Sequence, residues 1–202
     1  DTLTFGMGWA HDTRNKAIFA TRGILHNLSA EIALPGQDLE YYKLSYRQRR
    51  YIPLTKKLTL LMRGEIAYGN GYGDNETLPF FENFYAGGVK SVRGYSDNSL
   101  SATAANGEPI GGKLKTVGAV EILFPPPFAA DSNAVRMSAF FDAGYVFPSV
   151  DSFSIKQLRG SVGLSLSWLS PVGPLLFSLA TPVNDRANDD TQAFQFSLGG
   201  SF

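Results

Sequence analysis

The sequence has no cysteine in 202 residues, so neither a disulfide scaffold nor a thiolate-held metal is available to it. Its two histidines, His11 and His26, stand apart from any ligand or triad set and read as surface or interface residues. Charge is scarce. Eighteen basic and 18 acidic residues give a formal net charge of zero, and charged residues make up 18%, where a soluble domain carries about a quarter. Without a basic excess there is no nucleic-acid signature. No apolar run approaches the roughly 18 residues of a bilayer-crossing helix. The opening "DTLTFGMGWAHD" lacks the basic start and apolar core of a signal peptide. No stretch carries a helical apolar stripe.

What is present is glycine (21 residues), aromatics (13%) and alternation of apolar with polar or tiny residues. Leu3, Phe5, Met7 and Trp9 alternate with Thr4, Gly6, Gly8 and Ala10. The same period of two recurs over 26–34, 40–52, 57–69, 113–124, 135–147, 158–168, 175–181 and 194–202, which makes nine strand candidates. Many are about ten residues long, nearer the 9–11 of a tilted membrane strand than the five or six of a globular one. The chain is all-β.

Two architectures produce such alternation: a soluble sandwich with the apolar face inward, and a membrane barrel with it outward. The polar face here is often tiny, as at Ser161, Gly163 and Ser165, which leaves room in a lumen. Aromatics stand near strand ends (Trp9, Tyr42, Tyr51, Tyr68, Phe124, Phe147, Trp168, Phe202), as interfacial girdles do. "YIPLTK", "PPPFAADSNA" and "LSPVGP" read as tight connections, whereas 70–112, 148–157 and 183–192 are longer and more polar. Short turns on one side and long loops on the other favour the membrane barrel.

One connection, 70–112, does not read as strand, and long structureless connections in compact proteins are usually functional or disordered. It contains "GGVKSVRGYSDNSL", residues 87–100. Arg93 there offers a permanently charged fork of five donors suited to carboxylates. Gly94, Gly87 and Gly88 permit positive φ or close approach, and Tyr95 adds an apolar body with a polar tip. Alternation puts Glu121 and Asp142 on the polar faces of sequential strands. If Phe124 faces Val135, Glu121 faces Ser138 and Asp142 faces Val117, leaving the carboxylates about 13 Å apart along the strands. The long turn leaves that register open. An exposed Arg93, with the carboxylates paired to Lys113, Lys115 or Arg136, is the alternative. "NDRANDD" at 184–190 reads as a solvated acidic loop, and "GNGYGDN" at 69–75 lacks the strand-to-helix setting of a phosphate loop. No enzyme, metal or cofactor site emerges.

Several motifs resemble one family, the BamA-like outer-membrane protein assembly factors with their relatives in two-partner secretion and chloroplast import. "FYAGGVKSVRGY" (84–95) is similar to that family's loop with a Val-Arg-Gly-Tyr/Phe tip, here Val92, Arg93, Gly94 and Tyr95. "GAVEILFP" (118–125) and "FFDAGYVF" (140–147) resemble its Gly-x-x-Glu strand and lumen-facing Asp motif, while "SPVGPLLFSLATPV" and "FQFSLGGSF" match its last two strands. The resemblance covers essentially the whole chain.

It implies an antiparallel up-and-down transmembrane β-barrel, with about 8–9 strands of a 16-stranded parent present as its C-terminal half. Residues 1–202 would be one outer-membrane barrel domain carrying the inserted loop 70–112, without the parent's periplasmic repeat domains. The loop would fold into the lumen, where Arg93 meets Glu121 and Asp142. The C-terminal strand, with Phe194, Phe196, Leu198, Gly199, Gly200 and Phe202, would form one side of a weakly paired gate, its glycines loosening the pairing. The implied function is non-enzymatic insertion of client barrels into the bacterial outer membrane. Implied partners are the lipid bilayer, outer-membrane protein clients and, through periplasmic domains, accessory assembly lipoproteins. Alternatives are a self-closed structural barrel and a two-partner secretion channel. Around eight strands, side chains fill a closed barrel, so self-closure should expel the Arg93 loop.

Overall fold

A computed structural model describes residues 2–36, 38–129 and 134–199. Nine long strands follow one another: β1 (Thr4–Asp12), β2 (Gly23–Ala33), β3 (Tyr41–Pro53), β4 (Thr59–Gly71), then, beyond three short strands, β8 (Leu114–Phe124), β9 (Val135–Phe147), β10 (Arg159–Ser170), β11 (Gly173–Pro182) and, beyond a fourth short one, β13 (Phe194–Leu198). The short strands are β5 (Gly94–Tyr95), β6 (Ala102–Thr103), β7 (Pro109–Gly111) and β12 (Thr191–Gln192). The long strands form one antiparallel sheet in the order β1-β2-β3-β4-β8-β9-β10-β11-β13. Sequential neighbours pair throughout, as in an up-and-down barrel. Its edges, β1 and β13, are not paired with each other among the described residues.

The apolar face points away from everything the chain contains. Met62, Val120, Phe141 and Val162 lie in one cross-strand row and are each 38–45% exposed. No second sheet covers them among the described residues. The opposite face is concave and filled by the chain's own loops. Ala86, Val92, Tyr95 and Leu100 of the long loop pack with Val146 of β9, every one of them 0–1% exposed. A soluble core would have the burial reversed.

The long connection is therefore not structureless. It contains β5, β6 and β7, and an isolated bridge joins Phe84 to Gly112. Leu100 N–H donates to Ala86 O, and Val146 N–H to Leu100 O, each at 3.0 Å, which ties the loop to the end of β9. It is seated on the concave face.

Three details differ from expectation. The β8–β9 register pairs Glu121 with Phe140 and Ala119 with Asp142, two residues away from the Phe124–Val135 alignment. Tyr51 lies in a lumen-side cluster with Ala20, Leu61 and Leu123, and Phe147 is fully buried against Tyr145 and Phe153. Both rings serve the interior and not a girdle. Finally, the 13–22 connection sits at the tight-turn end and yet folds inward, burying Ala20.

Candidate functional site: a loop tip seated on the concave face

Residues 86–100 form a compact hairpin-like fold. Gly88 N–H donates to Tyr95 O at 2.9 Å, and Ser91 N–H to Gly88 O at 3.0 Å. Gly94 adopts φ +87°, and a Cβ there would lie 3.1 Å from Ala180 Cβ and 3.4 Å from Ser161 Cβ. Only glycine combines that backbone with that clearance. The tiny residues of β10 and β11 thus form the bed of the loop tip. Tyr95 is fully buried, its hydroxyl donates to Gly160 O at 3.1 Å, and burial pushes that hydroxyl's pKa up to about 12.

Arg93, 3% exposed, is the centre of the site. Its Nε and Nη2 donate to Asp142 Oδ2 and Oδ1, both at 2.7 Å, a bidentate fork, and its backbone N–H donates to Oδ2 at 3.0 Å. Nη1 donates to Glu121 Oε2 at 3.2 Å, and Nη2 lies 3.0 Å from Oε1. The guanidinium carbon sits 3.4 Å above the centre of the Phe140 ring. All three guanidinium nitrogens and one π face are engaged.

The two-residue difference in register is what lets both carboxylates reach one arginine. Asp142 stands opposite Ala119 and Glu121 opposite Phe140, so the carboxylates are about 7 Å apart along the strands instead of about 13. A fork spans that distance. Phe140 lies between Glu121 and Asp142 and supplies the floor.

Arg63 of β4, not singled out from the sequence, completes a second charge pair. Its Nε donates to Glu121 Oε1 at 3.1 Å and Nη2 to Asp142 Oδ1 at 3.2 Å. Nη1 and Nη2 also reach the carbonyls of Lys90 and Ser91. Two guanidiniums and two carboxylates therefore balance within the wall. Ser138 Oγ donates to Glu121 Oε2 at 2.8 Å and is linked to Ser165 Oγ at 2.7 Å. Alternation puts Arg63 and Ser138 on the polar face; the strand registers then set Arg63 in one row with Ala119 and Asp142, and Ser138 opposite Ser165.

The competing partners are engaged elsewhere. Lys113 Nζ donates to Asn70 Oδ1, Lys115 pairs with Glu65 at 3.2 Å, and Arg136 donates to Ala20 O. His11 and His26 face each other across β1 and β2 in a ring stack with Trp9, and His26 Nδ1 lies 2.7 Å from Tyr46 Oη. Among the described residues no cluster of His, Asp and Glu could hold a metal.

In the terminal strand Phe194, Phe196 and Leu198 point outward and are 52–66% exposed. Gly199 has φ +79° and donates to Pro174 O, which ends the pairing with β11. Gly200 and Phe202 lie outside the described residues. Among the described residues, the side chain of this strand hydrogen-bonded to the loop is Gln195, 4% exposed, whose amide bonds to Gly94 and Tyr95. Its only sequence signal is a hydrogen-bonding side chain at an inward position beside two outward phenylalanines.

This geometry can be set beside known proteins. The outer membrane protein assembly factor BamA of Neisseria meningitidis is 39% identical over 97% of this chain, and BamA of Nitratidesulfovibrio vulgaris 33% over 69%. The mouse sorting and assembly machinery component 50 homolog is 30% identical over 66%. A crystal structure of BamA from Haemophilus ducreyi lacking POTRA domains 1–3 superposes with a TM-score of 0.88, at 32% identity, over 98% of this chain. The chain spans 28% of the length of the Neisseria relative and 42% of the solved structure. The Omp85 superfamily domain matches residues 1–202 from end to end, and the chain belongs to the Omp85 superfamily.

Proposed function

We propose that this chain is part of the barrel of a bacterial outer-membrane factor that folds and inserts other β-barrel proteins, without an enzymatic step. The observation that carries the reading is the buried Arg93 network, which fixes an inward loop to the wall of a membrane-type sheet. The relatives named as assembly factors support it. Loop motif Val92–Tyr95 acts as a strut: it is ion-paired to Glu121 and Asp142 and does not swing as a lid.

Among the described residues, β13 pairs with β11 over five residues and its other edge is unpaired. An edge strand offers unpaired N–H and C=O groups to an incoming strand. The outward face of Phe194, Phe196 and Leu198 meets lipid, so an incoming strand would be templated and passed to the bilayer at one place. Partners on this reading are client barrel chains, the bilayer and, through periplasmic domains, accessory assembly lipoproteins.

The test is client assembly by the full-length protein in liposomes. Arg93→Ala is expected to slow assembly at unchanged protein level. A normal assembly rate from the folded variant would refute the reading.

A further inference from the structure

Beyond Arg93, the loop tip is bound to the terminal strand by one side chain. Gln195 Nε2 donates to Tyr95 O at 2.7 Å, and Gly94 N–H donates to Gln195 Oε1 at 3.1 Å. The carboxamide thus behaves as an extra peptide group for the tip. β12, just before Gln195 in the chain, adds peptide groups, with Thr191 opposite Tyr95 and Gln192 opposite Gly94. Residues 94–95 are thus held both by a backbone strand and by a side-chain amide that imitates one.

The pairing of β13 makes this contact weighty. β10 and β11 pair over ten residues, whereas β11 and β13 pair over five. Phe194, Phe196 and Leu198 point outward, and Ser197 Oγ bonds locally to Gly199 O. Among the described residues, Gln195 is the β13 side chain hydrogen-bonded to the loop. Gln195 and its cross-strand neighbour Ser178 are both buried, at 4% and 1% exposed.

We propose that Gln195 is a positioning residue that makes the seated tip and the terminal strand one body, so that the Arg93 anchor is transmitted to the β13 edge. This rests on the reading of that edge as the client-receiving one. A short edge strand frays readily, and its place is then set by the loop as much as by β11.

The experiment is hydrogen–deuterium exchange on the full-length protein in liposomes, with client assembly measured in parallel. Gln195→Leu, similar in size and without donor or acceptor, is expected to speed exchange in 191–199 by about tenfold. The 87–95 segment, still held by Arg93, is expected to stay within about twofold of the parent, since the charge-assisted bonds are the stronger ones. Unchanged exchange in 191–199 overturns the proposal, as does equal loosening of both segments, which would mark Gln195 as ordinary support for the loop. Should Gln195→Leu fail to insert, Gln195→Asn carries the test: one methylene shorter, its amide cannot span both partners, and no rise in 191–199 would again overturn it. Faster exchange with normal client assembly would leave the positioning role standing and sink the reading of the edge.

Discussion

Two loops fold onto the concave face from opposite ends of the sheet, and different physics holds them. The 86–100 segment is anchored by charge: Arg93 is 3% exposed, Asp142 fully buried, and a second arginine and carboxylate complete the balance. The 13–22 segment is anchored by contact. Ala20 packs against Tyr51, Leu61 and Leu123, and Arg136 donates to Ala20 O at 2.9 Å with its guanidinium 5.0 Å from the Phe19 ring. Between the two lies a cavity of about 430 Å³ lined by Phe19, Tyr51, Lys90, Arg93 and Arg136. An ion-paired seat specifies one geometry and fails all at once, because each removed partner strands a buried charge. A mainly apolar seat tied by uncharged acceptors fails by degrees.

The sharpest way to break this contrast is at Arg93 and Asp142. Either residue changed to Ala should destabilise the folded full-length protein by about 3–5 kcal/mol. It should also expose 86–100 to protease while 13–22 stays protected; denaturant titration with mapped proteolysis reads both. Arg93→Lys keeps the charge but not the fork, and should recover only part of the loss.

Arg136→Ala is the matching change at the other end. It removes one hydrogen bond and a ring contact, for an expected cost of about 1–2 kcal/mol. Cleavage should now appear in 13–22 and not in 86–100. If both loops open together in either variant, the seats are one cooperative unit and the contrast dissolves.

The smallest effect lies outside both seats. Glu40 accepts from Gly36 N–H at 2.7 Å and Asp74 N–H at 3.0 Å, and these two donors hold its carboxyl below the usual carboxylate range. A lowered folded value means that the contribution is present above the unfolded carboxylate pKa and is lost as pH falls through the folded one. Amide exchange in 34–40 and 72–75 should therefore rise on acidification below about pH 4, and the Glu40→Gln variant should show no such step.

Much of the site was legible before any coordinates. Alternation alone put Glu121, Asp142, Ser138 and Arg63 on one face, because a strand's side chains must alternate. The meeting of Glu121 and Asp142 at one arginine was not legible. It depends on the β8–β9 register, and hairpin register is set by the turn; a connection as long as 125–134 leaves it free. Arg63 was missed for a second reason: it stands in one cross-strand row with Ala119 of β8 and Asp142 of β9, and that row exists only once the β4–β8 and β8–β9 registers are set. Gln195 was missed for a third. An amide at an inward position has no partner until a loop from a hundred residues earlier reaches it.

The inward seat of Arg93 was implied only by the family resemblance; by itself, then, the amino-acid sequence determined the all-β class, the two faces of each strand, the polar-face placement of Glu121 and Asp142, and the apolar face of β13. These follow from period, residue type and local backbone preference, which act over a few residues. The tertiary structure alone decided the register that converges two carboxylates on one guanidinium, the recruitment of Arg63, and the amide link from Gln195 to the loop tip. Each joins segments far apart in the chain, and such contacts are chosen by packing and charge balance across the whole sheet.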